Sequence, residues 1–314
     1  MAISGILSIT YATDDLQAGR LFHEQLGLTL VDASEHGVDF ALPDGSSVRL
    51  RPVGSPDLPA PLADQVHGVR EVCWAVSDRA SLAALAAGMA VDRPVHWVGD
   101  SECAFLDDAG LTVRLRVAQF TPLPAEPDPT NAPGRVERLN QLRRWHERAV
   151  PLQMQHVVFS SPQARAQARF YVQRLGFRIS DIQEEGGVFL RAPGNVQHHN
   201  LYWQRAEVTT FRHVSYGVAN IDALMAGAAH MARHGVSSRQ GLGRHRISST
   251  FFYYMPNPCG GDAEYSTDAD CLDDRWAPRV WGRVFGHIWW LAQGRDQEPE
   301  VRMRMATADD LKLL

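Results

Sequence analysis

The residues best suited to chemistry are concentrated between Gly243 and Glu264, in the sequence GRHRISSTFFYYMPNPCGGDAE. This segment combines an imidazole, His245, with a run of strand-forming aromatic residues that ends at Tyr254. The Asn-Pro-Cys-Gly-Gly sequence that follows predicts a β-hairpin, which places Glu264 on the strand opposite Tyr254. Taken alone, Glu264 could equally be a solvated surface carboxylate, and its role depends on the rest of the chain.

Two further imidazoles, His156 and His213, lie on predicted strands. Together with Glu264 they supply two nitrogen ligands and one carboxylate. This set fills one face of an octahedron around non-haem Fe(II) and leaves the other face for substrate and oxygen. Because side chains alternate along a strand, all three can project to one concave side of a sheet. For either histidine alone, a packed or hydrogen-bonded core residue is the alternative interpretation.

The elements that must position these residues occur twice. In the second half, MQHVVFSSPQARAQARFYVQRLGFRISD follows the same plan as LSITYATDDLQAGRLFHEQLGLTLVD in the first: a strand, a polar cap, an amphipathic helix and a return strand. RHVSYGVANIDALMAGAAHM likewise matches REVCWAVSDRASLAALAAGM. A repeat of roughly 120 residues indicates a duplicated domain, each copy being a pair of βαβββ modules.

The repeat also allows the two copies to be compared position by position. Where the second copy carries the three candidate ligands, the first copy carries Ser8, Glu71 and Arg114. An arginine at the carboxylate position would repel a divalent cation. We therefore expect metal only in the second copy.

The predicted architecture is α+β with two tandem domains. Residues 1–120 form a metal-free N-terminal domain and residues 151–290 a catalytic, metal-binding C-terminal domain. Residues 121–150 contain a proline-rich linker, TPLPAEPDPTNAP, and then a predicted amphipathic helix, GRVERLNQLRRWHERAV, that would bracket the domains. Residues 291–314 are predicted to be a surface tail.

Composition excludes several other classes of protein. The chain has 314 residues and a formal net charge of -5, and without a long basic run it is not expected to bind nucleic acid. No apolar run reaches transmembrane length, and the N-terminus is typical of a strand rather than a signal peptide. The four cysteines form no CxxC pair, which disfavours a zinc ribbon or a disulfide framework and favours a cytoplasmic location.

The hairpin segment resembles the signature of the type I extradiol ring-cleaving dioxygenases of the vicinal oxygen chelate superfamily. That signature is Gly-x-His, a spacer, apolar-Tyr, Asn-Pro, Gly and Glu, and it is matched by Gly243, His245, Tyr254, Asn257, Pro258, Gly260 and Glu264. Two positions depart from it: Tyr253, where the family usually has an aliphatic residue or Phe, and Ile247, near an asparagine of some biphenyl-type members. The resemblance covers nearly the whole chain and implies the glyoxalase/bleomycin-resistance/extradiol dioxygenase fold.

The resemblance also implies the functional residues. These are the iron ligands His156, His213 and Glu264 and the catalytic residues His199, His245 and Tyr254. His199 is chosen over His198 because Asn200 and an apolar strand follow it, as in the family.

The implied reaction is Fe(II)-dependent extradiol cleavage of a catechol by O2 in aromatic compound degradation, carried out by a homo-oligomer, with Mn(II) as the other possible metal. Two alternative functions are open. One is a ligand-sequestering binding protein of the superfamily, and the other is a glyoxalase-like metal-dependent isomerase or lyase.

Overall fold

The computed structural model describes residues 2–63, 65–124, 127–282, 287–290 and 303–312. The first domain contains two helices and eight strands. In chain order they are β1 (Ile3–Thr13), α1 (Leu16–Leu26), β2 (Thr29–Ser34), β3 (Gly37–Ala41), β4 (Ser47–Pro52), β5 (Gly68–Val76), α2 (Arg79–Met89), β6 (His96–Val98), β7 (Glu102–Leu106) and β8 (Thr112–Val117).

The second domain repeats this order. Its elements are β9 (Gln153–Ser161), α3 (Ala164–Leu175), β10 (Arg178–Gln183), β11 (Gly187–Arg191), β12 (Leu201–Arg205), β13 (Thr210–Gly217), α4 (Ile221–Arg233), β14 (Gln240–His245), β15 (Phe251–Pro256) and β16 (Asp262–Thr267). Beyond it lie β17 (Arg279–Trp281), β18 (His287–Trp290), β19 (Met303–Met305) and α5 (Ala308–Lys312).

The two sheets share one topology. The first has the strand order β2-β3-β4-β1-β5-β8-β7-β6, and the core of the second has the matching order β10-β11-β12-β9-β13-β16-β15-β14, read in the opposite direction along the sheet. β18 extends the second sheet at one edge, while β17 and β19 extend it at the other. The predicted α+β fold of two tandem domains built from βαβββ modules is confirmed.

Helix ends follow from local sequence. The Asp15 carboxylate accepts a hydrogen bond from the Ala18 amide at 2.8 Å and so caps α1. Both α1 and α3 end at a glycine in the left-handed region, Gly27 at φ +100° and Gly176 at φ +74°. The repeated Leu-Gly pair therefore sets the same return from helix to strand in both domains.

Most of the buried apolar residues of both domains form one continuous cluster, and Leu7, Cys73 and Ala75 form a small separate one. Trp74 of the first domain packs edge-on against Phe177 of the second, with ring centroids 5.0 Å apart. The Tyr265 hydroxyl donates to the Leu26 carbonyl at 2.7 Å across the same boundary. The first domain therefore supports the sheet of the second directly.

The helix predicted within residues 134–150 is wrong. The structure describes every residue of this range and assigns no helix to it. Its apolar side chains Val136, Leu139, Leu142 and Trp145 are 69–88% exposed, and without a buried face an isolated amphipathic helix gains too little stabilisation to form. The segment is held instead by polar contacts, among them ion pairs of Arg143 with Asp128 and Asp222.

The segment predicted as a surface tail contains a strand that the sequence did not predict. Residues 291–302 and 313–314 lie outside the described residues. Met303–Met305, however, pairs antiparallel with Arg279–Trp281 and forms an exposed edge strand of the second sheet. A three-residue strand with exposed side chains has no hydrophobic pattern that the sequence could reveal. In the described ranges, no helix combines the length and apolarity needed to cross a bilayer.

Candidate metal centre and pocket

Three neighbouring strands carry the predicted ligands. His156 lies on β9, His213 on β13 and Glu264 on β16. Ser215 of β13 is paired with both His156 and Glu264, and His213 lies two residues before it. Because paired residues and residues two apart on a strand face the same side of the sheet, the three side chains project together.

The spacing of their ligand atoms fits one metal ion. His156 Nε2 is 3.3 Å from His213 Nε2. Glu264 Oε2 is 3.0 Å from His156 Nε2 and 3.5 Å from His213 Nε2. Ligand atoms about 2.1 Å from a metal and at right angles to each other lie about 3.0 Å apart, close to these separations. Within the described ranges, this is the one group of three His, Cys, Asp or Glu side chains with ligand atoms within 4.8 Å of each other.

The carboxylate of Glu264 is fully buried, and neither of its oxygens accepts a hydrogen bond from any residue that the structure describes. Burial acts to raise its pKa, but the adjacent imidazoles, His156 foremost, outweigh burial and hold the pKa well below the usual range. Burial lowers the pKa of His213 to about 3. A buried carboxylate whose oxygens accept no hydrogen bond from the described residues, next to two imidazoles, is a donor set suited to a divalent cation.

Beside these residues lies a cavity of about 350 Å³. Its apolar wall includes Val158, Phe189, Tyr202 and Ile247. The rings of Phe189 and Tyr202 are stacked with centroids 4.0 Å apart. An aromatic molecule therefore has a flat apolar surface to pack against, within reach of the ligand set.

His199 lines this cavity, with its ring centroid 4.1 Å from that of His156. Burial, followed by the charges of His156 and His198, lowers its pKa well below the usual value. His198 lies behind it, where its Nε2 is 3.3 Å from Asp181 Oδ2. The structure thus brings His199, and not His198, to the pocket.

His245 and Tyr254 meet on the other side of the ligands. His245 Nε2 is 3.0 Å from the Tyr254 hydroxyl and 3.6 Å from Glu264 Oε1. Tyr254 is paired with Glu264 across the hairpin, and its ring packs edge-on against His213. The predicted hairpin is confirmed. Five of the six predicted site residues line the cavity, and the sixth, Glu264, is buried beside His156 and His213.

Several pocket residues were missed from the sequence. Gln183, Phe189, Tyr202 and Arg212 line the cavity, and Asp181 contacts His198 from behind. The first four lie on strands whose facing direction depends on register. Asp181 follows a β-bulge between Ile179 and Asp181, and that bulge decides which side it faces. The sequence signal that could have identified these residues is the alternation of side chains along each strand, counted with one extra residue at the bulge.

The register confirms the first-domain counterparts. Cys73 of β5 is paired with Ser8 and Arg114, and Glu71 lies two residues before it. This is the arrangement of the ligand-bearing strands in the second domain. Ser8, Glu71 and Arg114 therefore occupy the three ligand positions, as the repeat predicted.

Comparison with known proteins finds a similarity to one superfamily in the second domain. Residues 153–265 match the model of the Glyoxalase/Bleomycin resistance protein/Dioxygenase superfamily. The second domain is therefore similar to this superfamily over these residues, in agreement with the resemblance found in the sequence.

Individual relatives narrow the comparison. Metapyrocatechase 2 of Cupriavidus necator is 30% identical over 190 residues, which are 60% of this chain and 59% of that protein. The Mn(II)-bound glyoxalase of Novosphingobium aromaticivorans superposes with a TM-score of 0.73 over 96% of both chains, at 22% identity. BphC, a halotolerant catechol dioxygenase, superposes with a TM-score of 0.72 over 97% of this chain and 99% of its own, at 17% identity. The structural likeness establishes the fold.

Proposed function

We propose that this protein is an extradiol dioxygenase that uses Fe(II) and O2 to cleave a catechol ring beside its two hydroxyl-bearing carbons. The observation that carries the proposal is the buried Glu264 carboxylate, which lacks a hydrogen bond from any described residue and faces the His156 and His213 imidazoles. The similarity to a metapyrocatechase over 190 residues supports the same assignment.

His156, His213 and Glu264 would hold the metal. Two imidazoles and a carboxylate on one face suit non-haem Fe(II), and Mn(II) is the alternative ion that the same oxygen and nitrogen ligands accept. When bound, such an ion lowers the pKa of a coordinated hydroxyl and provides positions for both the catechol and O2. The protein contributes a fixed, buried ligand set.

His199 would accept a proton from the catechol. Its pKa is lowered by burial, so the imidazole is neutral at pH 7 and has a lone pair available. The ring lies against His156 and lines the cavity, which places it beside a substrate bound at the ligand set. The same imidazole, once protonated, can return the proton to an oxygen that becomes negative during ring opening.

Tyr254 would hold a substrate oxygen as a hydrogen-bond donor. Burial, reinforced by the charge of Glu264, raises its pKa well above 10, so the phenol stays protonated. His245 Nε2 lies 3.0 Å from its hydroxyl and fixes the direction of the phenol. A donor aimed where negative charge develops stabilises the transition state more than the bound substrate.

The substrate ring would stack against the apolar wall. Phe189 and Tyr202 present parallel rings there, and Val158 and Ile247 complete the surface. This wall excludes water from the neighbourhood of the ligand set, which strengthens the polar interactions within it. An aromatic diol fits this pocket because its hydroxyl groups can reach the ligand set while its ring packs on the apolar wall.

Oxygen uptake tests the proposal. Protein reconstituted anaerobically with Fe(II), or separately with Mn(II), is mixed with monocyclic, bicyclic and trihydroxylated catechols, and O2 consumption is recorded together with the absorbance of the ring-opened product. We expect one O2 consumed per catechol. A Tyr253→Phe protein serves as a control because this residue neighbours Tyr254 without lining the cavity.

Two results would overturn the proposal. Binding of catechols without O2 consumption in either metal form would indicate a binding protein, and turnover of another substrate without O2 would indicate the isomerase or lyase. Light scattering on the same sample tests the predicted homo-oligomer.

A further inference from the structure

Behind His199 the structure contains a buried chain of three polar side chains. Asp181 Oδ2 is 3.3 Å from His198 Nε2, and His198 Nδ1 is 3.1 Å from His199 Nδ1. Asp181 and His198 are each 1% exposed and His199 is 7% exposed. Groups this deeply buried have few alternatives to bonding one another, so the proton positions along the chain are coupled.

The direction of these hydrogen bonds can be worked out from the carboxylate. Asp181 Oδ2 also accepts the indole N–H of Trp281 at 2.8 Å, and Asp181 Oδ1 accepts the Arg279 amide at 2.8 Å. An ionised carboxylate can only accept, so it favours the His198 tautomer with a proton on Nε2. Nδ1 of a neutral His198 is then an acceptor and takes the proton of His199 Nδ1.

One consequence concerns His199 alone. With its proton on Nδ1, the lone pair of the ring is on Nε2. His199 would otherwise choose between two tautomers of similar energy, and only the Nδ1–H form leaves Nε2 able to accept a proton. The hydrogen bond made by one ring nitrogen decides the protonation of the other.

We propose that Asp181 and His198 are positioning residues that fix His199 in the Nδ1–H tautomer, so that Nε2 is the proton acceptor of the pocket. The tautomer assignment depends only on the contacts above. Its role in catalysis rests on the proposed ring-cleavage function.

The first domain shows that the fold does not require a buried acid here. Both domains have a β-bulge at the same place, between Leu30 and Asp32 in the first and between Ile179 and Asp181 in the second. Asp32 is exposed, whereas Asp181 is buried against His198. Asp32→Leu is therefore a matched control for Asp181→Leu.

The tautomers can be measured directly, without metal or substrate. Two-bond ¹H–¹⁵N spectra of ¹⁵N-histidine-labelled metal-free protein distinguish protonated from unprotonated ring nitrogens. We expect His198 protonated at Nε2 and His199 at Nδ1. Asp181→Leu removes the acceptor of His198 Nε2–H, so neither ring is held in one tautomer and both should show a mixture of protonated nitrogens. Asp32→Leu should leave both unchanged. A wild-type His199 protonated at Nε2, or an Asp181→Leu spectrum like that of the wild type, would overturn the proposal.

Kinetics separate positioning from structural support. Asp181→Leu should lower kcat by at least about 10-fold with KM within about 2-fold of wild type, as expected when a partner that orients a reacting imidazole is lost. His198→Gln should retain most of kcat, because its amide can donate to Asp181 and accept from His199, whereas His198→Leu should not. Trp281→Phe removes one donor to Asp181 but leaves the histidine chain, and its tautomers should match the wild type.

The two proposals fail differently. Equal losses in His198→Gln and His198→Leu would show that the chain only supports the fold. If wild-type protein shows the expected tautomers but consumes no O2 with any catechol, the ring-cleavage function is wrong and the tautomer assignment stands.

Discussion

The two domains present the same three strand positions to the concave side of their sheets and use them in opposite ways. In the first domain the positions form an ion-paired cluster: Arg114 lies 2.7 Å from Glu71, and both Arg114 and Arg116 also contact Glu102. Each buried carboxylate there has a guanidinium partner. In the second domain the matching carboxylate, Glu264, has neighbouring imidazoles and no hydrogen bond from the described residues.

The difference separates the role of the duplicated sheet, which sets the positions of three side chains, from the role of the residue types, which determine whether a metal can bind. The sheet gives three convergent side chains at a fixed spacing, whatever their type. In the first domain the arginines neutralise the carboxylates, so no cation is needed to balance their charge. In the second domain the buried carboxylate faces two imidazoles, and the oxygen and nitrogen lone pairs of this set can bind one cation together. The second domain is therefore prepared to bind a metal.

Exchanging the carboxylate should have the largest effect. Glu264→Gln removes the negative charge from the ligand set, and we expect divalent metal affinity to fall by more than about 100-fold, with O2 uptake abolished. Metal content after gel filtration and steady-state O2 uptake measure the two effects.

Glu71→Gln is the matched control in the first domain. Here the change breaks an ion pair with Arg114, which is about one-fifth exposed. We therefore expect a loss of about 1–3 kcal/mol in unfolding free energy, below that of a fully buried pair, and unchanged metal content. Reduced metal binding in Glu71→Gln would contradict the contrast between the domains.

Tyr254→Phe tests a residue that the first domain lacks. The matching hairpin position there, opposite Arg114, is occupied by Ala104. Loss of the phenol should leave metal content unchanged and lower kcat by about 100-fold, the usual contribution of a positioned proton donor. Steady-state O2 uptake and metal analysis measure both. Full activity in Tyr254→Phe would remove the phenol from the proposed mechanism.

The repeated Leu-Gly helix ends offer a comparison of stability. Gly27 and Gly176 both have positive φ, so alanine costs about 1 kcal/mol of backbone strain at either. A Cβ at Gly27 would also lie 2.4 Å from the Ala149 carbonyl oxygen, whereas at Gly176 it would meet no atom within 4 Å. We expect Gly27→Ala to destabilise by about 3 kcal/mol and Gly176→Ala by about 1 kcal/mol in urea titrations. Equal losses of unfolding free energy in the two variants would show that the backbone at Ala149 shifts to make room for the added methyl group.

The sequence was sufficient to predict the fold, and the strands that carry the candidate ligands, because these depend on local patterns. The repeat, strand alternation and helix caps are all readable over short ranges, and the pairing of Tyr254 with Glu264 follows from one hairpin. The three ligand positions then follow from comparing one copy with the other.

The remaining features depend on tertiary contacts. Asp181 reaches His198 only because a bulge turns it inward, and Phe189 and Tyr202 reach the pocket through their strand register. The helix predicted within 134–150 failed for the converse reason, since its apolar residues find no surface to pack on. Local sequence does not reveal whether such a surface exists.

His23 is a buried core histidine of the first domain, and it predicts how stability depends on pH. Its Nδ1 donates to the Gly19 carbonyl at 2.8 Å, and its Nε2 has no hydrogen-bond partner among the described residues. The ring packs against Phe22 and Phe40. Burial lowers its pKa to about 4, so the native state keeps the ring neutral.

Acid should therefore destabilise the protein through this residue. The unfolded chain binds the proton near pH 6.5 and the native state only near pH 4, so stability contributed by neutral His23 is complete above pH 6.5 and decreases as the pH falls towards 4. At pH 5 the loss is about 2 kcal/mol. Counting back from the helix-ending glycines, Val172 holds the matching position in α3. Metal-free His23→Val should lose about 2 kcal/mol less than metal-free wild type between pH 7 and pH 5 in urea titrations. Equal losses in the two proteins would assign the acid sensitivity to the histidines of the pocket instead.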